Sequence, residues 1–97
     1  MKLSVLIIFT ITLPLSAWAD IETDRVVGNC AGLLSALKKP EKAKEAIGYA
    51  DNQNRAIKFG TAWINKASSY GNNKTMVDSM VYSATSDCHS IGIRTSD

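Results

Sequence analysis

Residues 21–37, IETDRVVGNCAGLLSAL, carry apolar side chains at steps of three and four residues, which places them along one face of an α-helix. The stripe consists of Val26, Val27, Cys30, Leu33, Leu34 and Leu37. Acidic residues occupy the first turn, and Lys38 and Lys39 follow the last, where each charge suits the helix dipole. Pro40 cannot continue this helix and suits the first position of the next one. The sequence therefore predicts a first helix over residues 21–37.

A second helical pattern covers residues 41–68 and has two neighbouring apolar faces, which predict a central helix packed on both sides. One face contains Ala43, Ala46, Ile47, Ala50, Ile57 and Ile64, and the other contains Tyr49, Ala56, Phe59, Trp63 and Tyr70. Residues 51–55, DNQNR, are polar, and form either an exposed turn of one long helix or a break between two shorter ones. A third pattern runs to His89 after a loop in which Gly71 suits a helix stop and Asn73 or Thr75 a cap.

The chain has two cysteines, Cys30 and Cys88, and they lie in the first and the last predicted helix. They lack the C-x-x-C spacing of redox or metal sites, so a single disulfide is predicted. In an up-down-up bundle with a rise of about 1.5 Å per residue, an unbroken second helix would leave Cys88 and Cys30 offset by roughly 8 Å along the bundle axis. That offset is too large for a disulfide. A bend or break near residues 52–54 or at Gly60 would bring the two together. We therefore expect an all-α fold, a small three- or four-helix bundle closed by one disulfide that links the first and last helices.

The first 19 residues have the three regions of a cleavable secretory signal peptide in the expected order. Lys2 supplies a positive charge, residues 3–15 are largely apolar, and Ala17-Trp18-Ala19 is a small-x-small cleavage site. The apolar run is shorter than the roughly 20 residues that span a membrane, and no second run follows. We expect one small helical domain over residues 20–97, with residues 90–97 as a frayed tail. The mature protein would be periplasmic or secreted, with no transmembrane segment after cleavage.

The charge balance argues against nucleic acid as a partner. Cleavage after residue 19 removes Lys2 and no acid, which leaves ten basic and nine acidic residues. Nucleic-acid binding requires a stripe of basic side chains. The lysines at positions 38–44 do not form one, because Glu41 lies among them and Glu45 directly after them.

No constellation of catalytic or metal-ligating residues is visible. His89 is the only histidine, and its place at a helix end is explained by the dipole. Catalytic imidazole needs a nucleophile and an orienting group, and a zinc site needs three or four ligands. The acidic residues form no catalytic pair, and no phosphate loop, calcium loop or haem-attachment motif is present. We expect no enzyme, no metal and no cofactor.

The candidate binding surface consists of the aromatic residues Phe59, Trp63 and Tyr70, because such side chains are enriched in interfaces. Gly28 and Gly32 lie on one face of the first helix, and the absence of side chains there predicts a close contact with another helix. The sequence favours a small exported, non-catalytic binding protein acting on a protein or envelope partner, of inhibitor, immunity or accessory type. One alternative is a small-ligand carrier with a pocket between helices, lined by Phe59, Trp63, Met76 and Met80. Another is an envelope stress chaperone.

Overall fold

The computed structural model describes residues 21–96, and this part of the chain forms four helices and no strand. Helix α1 covers residues 21–36, α2 Pro40–Ile47, α3 Gln53–Ser69 and α4 Lys74–Ser90. The predicted signal peptide, residues 1–19, lies outside the described residues. The predicted all-α bundle is confirmed, and of the two readings left open for residues 51–55 the break between shorter helices is the correct one.

Local turns and side-chain caps mark the ends of the helices. α1 ends in a Schellman motif, in which the Lys39 amide donates to the Leu34 carbonyl over 2.9 Å, and Lys38 takes the left-handed conformation with φ 62°. Gly71 has φ 53° just after α3. Asn73 caps α4 by accepting a hydrogen bond from the Met76 amide.

Helix α1, rather than the second helical pattern, is the central element. One core cluster packs its Cys30, Ala31 and Leu34 against α2, α4 and the C-terminal residues. A second cluster packs Leu33 against α3 and α4 around Trp63. The prediction of a central helix over residues 41–68 is therefore wrong, because the break after α2 divides that segment into two shorter helices on different sides of α1.

Small residues let α1 and α3 cross with their backbones in contact. A Cβ atom added to Gly28 would lie 2.4 Å from the Ala56 carbonyl oxygen, and one added to Gly32 would lie 2.9 Å from the Gly60 oxygen. One added to Gly60 would in turn lie 2.9 Å from the Gly28 oxygen. These distances leave no room for a side chain, so the crossing depends on glycine at all three positions.

The disulfide Cys30–Cys88 is present and joins the middle of α1 to the last turn of α4, with a Cα–Cα distance of 4.8 Å. Both cysteines have no exposed surface, and they belong to the core cluster that includes Leu34 and Ala46. The predicted link between the first and last helices is therefore confirmed, and it lies inside the apolar core.

The residues after α4 fold back onto α2. Gly92, with φ 81°, reverses the chain, and the Ile93 amide donates to the Cys88 carbonyl over 2.9 Å. Ile93 is only 3 % exposed and packs in the core, where a frayed polar tail was expected. Lys39 and Lys42 donate from Nζ to backbone carbonyls of this segment, on Thr95 and on Arg94 and Ser96 respectively. The burial of one apolar side chain thus orders a segment that is polar elsewhere.

Candidate functional site

An apolar surface groove of about 400 Å³ lies between α1, α2 and α3, and is called groove A below. Its lining consists of Ala31, Gly32, Ser35, Pro40, Ala43, Lys44, Ile47, Gln53, Ile57, Gly60, Thr61 and Ile64. Its volume lies at the lower end of the range of small-molecule sites in proteins, which are concave and mostly apolar.

The groove exists because its floor has almost no side chains. Gly32 and Gly60 belong to the α1–α3 crossing, and Ala31 and Ala43 are the small residues beside it. The break between α2 and α3 leaves the aliphatic side chains of Ile47, Ile57 and Ile64 around this floor rather than in one buried face. Ile57 is 50 % exposed, so half of this aliphatic side chain faces solvent beside the groove.

Lys44 is the one charged residue that lines groove A. Among the described residues its Nζ forms no ion pair. Ser35, Gln53 and Thr61 supply uncharged polar groups at the same groove. The lining therefore offers apolar contact, a few hydrogen bonds and one positive charge.

Asp24 fixes the position of α3, which forms one wall of groove A. Its carboxylate has no exposed surface and accepts hydrogen bonds from the Asp51 amide (2.8 Å), the Asn52 amide (3.1 Å) and Nε of Arg55 (2.7 Å). Asn52 in turn caps α3 by accepting from the Arg55 amide over 3.0 Å. α1 thereby holds the loop before α3 and the first turn of α3 together.

The pKa of Asp24 reflects these contacts. Burial by itself raises the pKa of the carboxyl, because the charged form loses hydration. The hydrogen bonds from the Asn52 amide, the Arg55 side chain and the Asp51 amide outweigh this cost, so the pKa lies below its ordinary value of 3.8. Asp24 is thus a charged carboxylate in the core at neutral pH.

A second groove, groove B, has a volume of about 330 Å³ and lies between α1, α3 and α4. It is lined by Arg25, Asn29, Phe59, Ala62, Trp63, Lys66, Met80 and Ser83. Trp63 is 8 % exposed, so the groove reaches only a small part of the ring. Arg25 pairs with Glu22, and Asn29 donates to Asp87 over 3.1 Å, so acidic groups already accompany the polar residues at one side of groove B.

The structure does not bring the candidate residues of the sequence analysis together in one site. Phe59 and Trp63 line groove B together with Met80, whereas Tyr70 caps the C-terminal end of α3 and lines neither groove. Met76, expected beside them in the ligand-carrier alternative, is 39 % exposed and lies outside groove B.

Gly28 and Gly32 face α3, and Cys30 and Cys88 are bonded to each other. His89 is exposed in the last turn of α4. Within residues 21–96, no three His, Cys, Asp or Glu side chains lie close enough together to hold a metal ion.

Two features of groove A escaped the sequence reading. The sequence pattern places Ile57 on an apolar face together with residues of α2, but the break at residues 51–55 separates Ile57 from them and leaves it half-exposed. Asp24 was read as a dipole partner, although it lies three residues before Val27 on the buried stripe, where an acid requires specific hydrogen-bond donors.

Comparison of the chain with protein-family models, with curated proteins and with solved structures finds no match.

Proposed function

We propose that this protein is a small exported, non-catalytic binding protein that acts on a protein or other envelope component, as an inhibitor, immunity partner or accessory factor. The observation that carries the proposal is groove A, an apolar groove beside a half-exposed Ile57. Its lining includes a single titratable side chain, Lys44, so the groove offers contact area rather than groups that transfer protons. Apolar surface of this kind is stabilised by covering it, which is what a bound partner does.

The disulfide supports the exported setting. Bonds of this kind persist in oxidising compartments, and Cys30–Cys88 indicates a non-reducing environment. Within residues 21–96 no helix has the length and hydropathy of a membrane span. We infer that residues 1–19 are a cleaved signal peptide and that the mature protein is periplasmic or secreted.

Replacement of Ala19 by the bulky residue Trp is expected to block signal cleavage, because the site requires small side chains. The wild-type protein recovered outside the cytoplasm should begin at Asp20, and Ala19→Trp should remain cell-associated with its first residues uncut. Intact-mass measurement of both forms tests this. Recovery of wild-type protein that still carries residues 1–19 would contradict the proposed signal peptide.

Ile57→Lys is expected to abolish retention of the partner by groove A. The substitution puts a charge at a half-exposed position, so the fold should survive while the groove loses its apolar character. The measurement is affinity capture from the cell envelope with the purified protein, followed by mass spectrometry of the retained proteins and lipids. We expect at least a tenfold loss of the retained component.

Tyr82→Lys is the matched control, since Tyr82 is 79 % exposed on α4 and lines neither groove. It introduces the same charge and should retain the partner as the wild type does. Circular dichroism of both variants verifies the helical fold. Equal retention by the wild type and Ile57→Lys would show that groove A is not the binding surface.

A further inference from the structure

We propose that groove A binds a free fatty acid, an unbranched aliphatic chain that ends in a carboxylate. This inference goes beyond the proposed function, because it assigns a small ligand to the same groove. It follows from three properties of the lining, which are its apolar walls, its volume and its one unpartnered cation.

The walls of the groove select an aliphatic chain. Three isoleucines, Ile47, Ile57 and Ile64, surround a floor of glycine and alanine, and no aromatic residue is among the lining. A flexible chain of CH2 groups can follow such a floor, and each CH2 that it buries is removed from water, which favours binding. The volume of about 400 Å³ suits an aliphatic chain of medium length.

The charge of the groove selects an acidic head group. Lys44 lines groove A, and no acidic residue does. Glu41 and Glu45 flank Lys44 in α2, but neither belongs to the lining. A lysine at the edge of an apolar groove lays its carbon stem along the surface and keeps its ammonium in water, where a carboxylate head can reach it. Groove B also has a lysine, Lys66, but the aromatic rings of Phe59 and Trp63 form part of its lining, and Glu22 and Asp87 contact its Arg25 and Asn29.

The test uses decanoate, decanol and decyltrimethylammonium as probes of equal chain length. The purified protein is labelled at the isoleucine methyl groups, and the probes are titrated below the concentration at which each forms micelles. We expect saturable shifts of Ile47, Ile57 and Ile64 with decanoate, while Ile21 and Ile93, which do not line groove A, stay unchanged. Decyltrimethylammonium should bind about tenfold more weakly than decanoate.

Lys44→Gln should weaken decanoate binding about two- to fivefold and leave decanol binding unchanged, as expected for one exposed charge pair. Lys58→Gln is the matched control, since Lys58 is an exposed lysine beside Ile57 that does not line the groove. Equal binding of the three probes, no effect of Lys44→Gln, or no saturable shift would each overturn the inference.

The two proposals fail in distinguishable ways. If decanoate does not bind but capture of a protein still depends on Ile57, groove A is a protein-binding surface and the fatty-acid inference is wrong. If decanoate binds at groove A and capture does not depend on Ile57, the groove is a ligand site and the proposed action on a larger partner is wrong.

Discussion

Replacement of both Cys30 and Cys88 by Ala is expected to lower the free energy of unfolding by about 4 kcal/mol. The bond closes a loop with a sequence separation of 58 residues, and in the chain-entropy model removal of that constraint has this effect on the unfolded state. Small single domains have only about 5–15 kcal/mol of stability in total. A large share of the stability of this bundle is therefore expected to depend on the bond.

Urea unfolding of the wild type and of the double-alanine variant, followed by circular dichroism, measures the difference. Alanine is preferred to serine because both positions have no exposed surface, and a buried hydroxyl would add its own cost. The wild type with its disulfide reduced is the second comparison, since it keeps both sulfur atoms in the core. A loss below about 1 kcal/mol in both forms would contradict a dominant role for the disulfide.

Asp24→Asn is expected to cost about 3 kcal/mol at neutral pH. The carboxylate receives three hydrogen bonds in the core, and bonds to a charged group are worth about 1.5–3 kcal/mol each before the compensation that water and the Asn amide oxygen provide. Asn lacks the charge, and its NH2 group cannot accept from Arg55 or from the loop amides. Chemical unfolding at pH 7 measures the loss.

The effect of Asp24→Asn should depend on pH. The folded-state pKa of Asp24 lies below 3.8, so the folded protein binds this proton more weakly than the unfolded chain does. The stabilisation by Asp24 is therefore present well above pH 3.8 and is lost as the pH falls through the lower folded-state value. The wild type and Asp24→Asn should converge in stability under strongly acidic conditions.

Glu22→Gln is the control for the Asp24 experiment, because Glu22 lies on the same helix, is exposed and pairs with an exposed Arg25. It should have little effect at any pH. A difference between the wild type and Asp24→Asn that stays constant from neutral to strongly acidic pH would show that the charge of Asp24 is not the cause.

Local signals in the sequence predicted the helices and the disulfide. The stripe through Val27 and Cys30, the stop at Gly71 and the cap at Asn73 each act over a few residues, so their effect can be read from neighbouring positions. The pairing of Cys30 with Cys88 followed because the chain offers no other cysteine.

The position of the grooves depends on contacts between distant residues. Groove A requires that the backbones of α1 and α3 touch at Gly28 and Gly60, and that Asp24 hold the loop at residues 51–52. The residues next to each contact in the sequence do not indicate which distant residue completes it. The same holds for Ile93, whose burial depends on the reversal of the chain at Gly92 and on the core around Cys88.

The glycine crossing gives the chain a signature by which distant relatives can be sought. Gly28 and Gly32 meet α3, while Cys30 between them meets α4, so two sides of one helical turn are fixed by different partners. Any sequence that keeps this arrangement needs the order Gly-x-Cys-x-Gly, followed after a short helix and a polar loop by a small residue and then glycine four positions later. A homologue that shares this core is expected to keep that pattern, together with a second cysteine in the last helix.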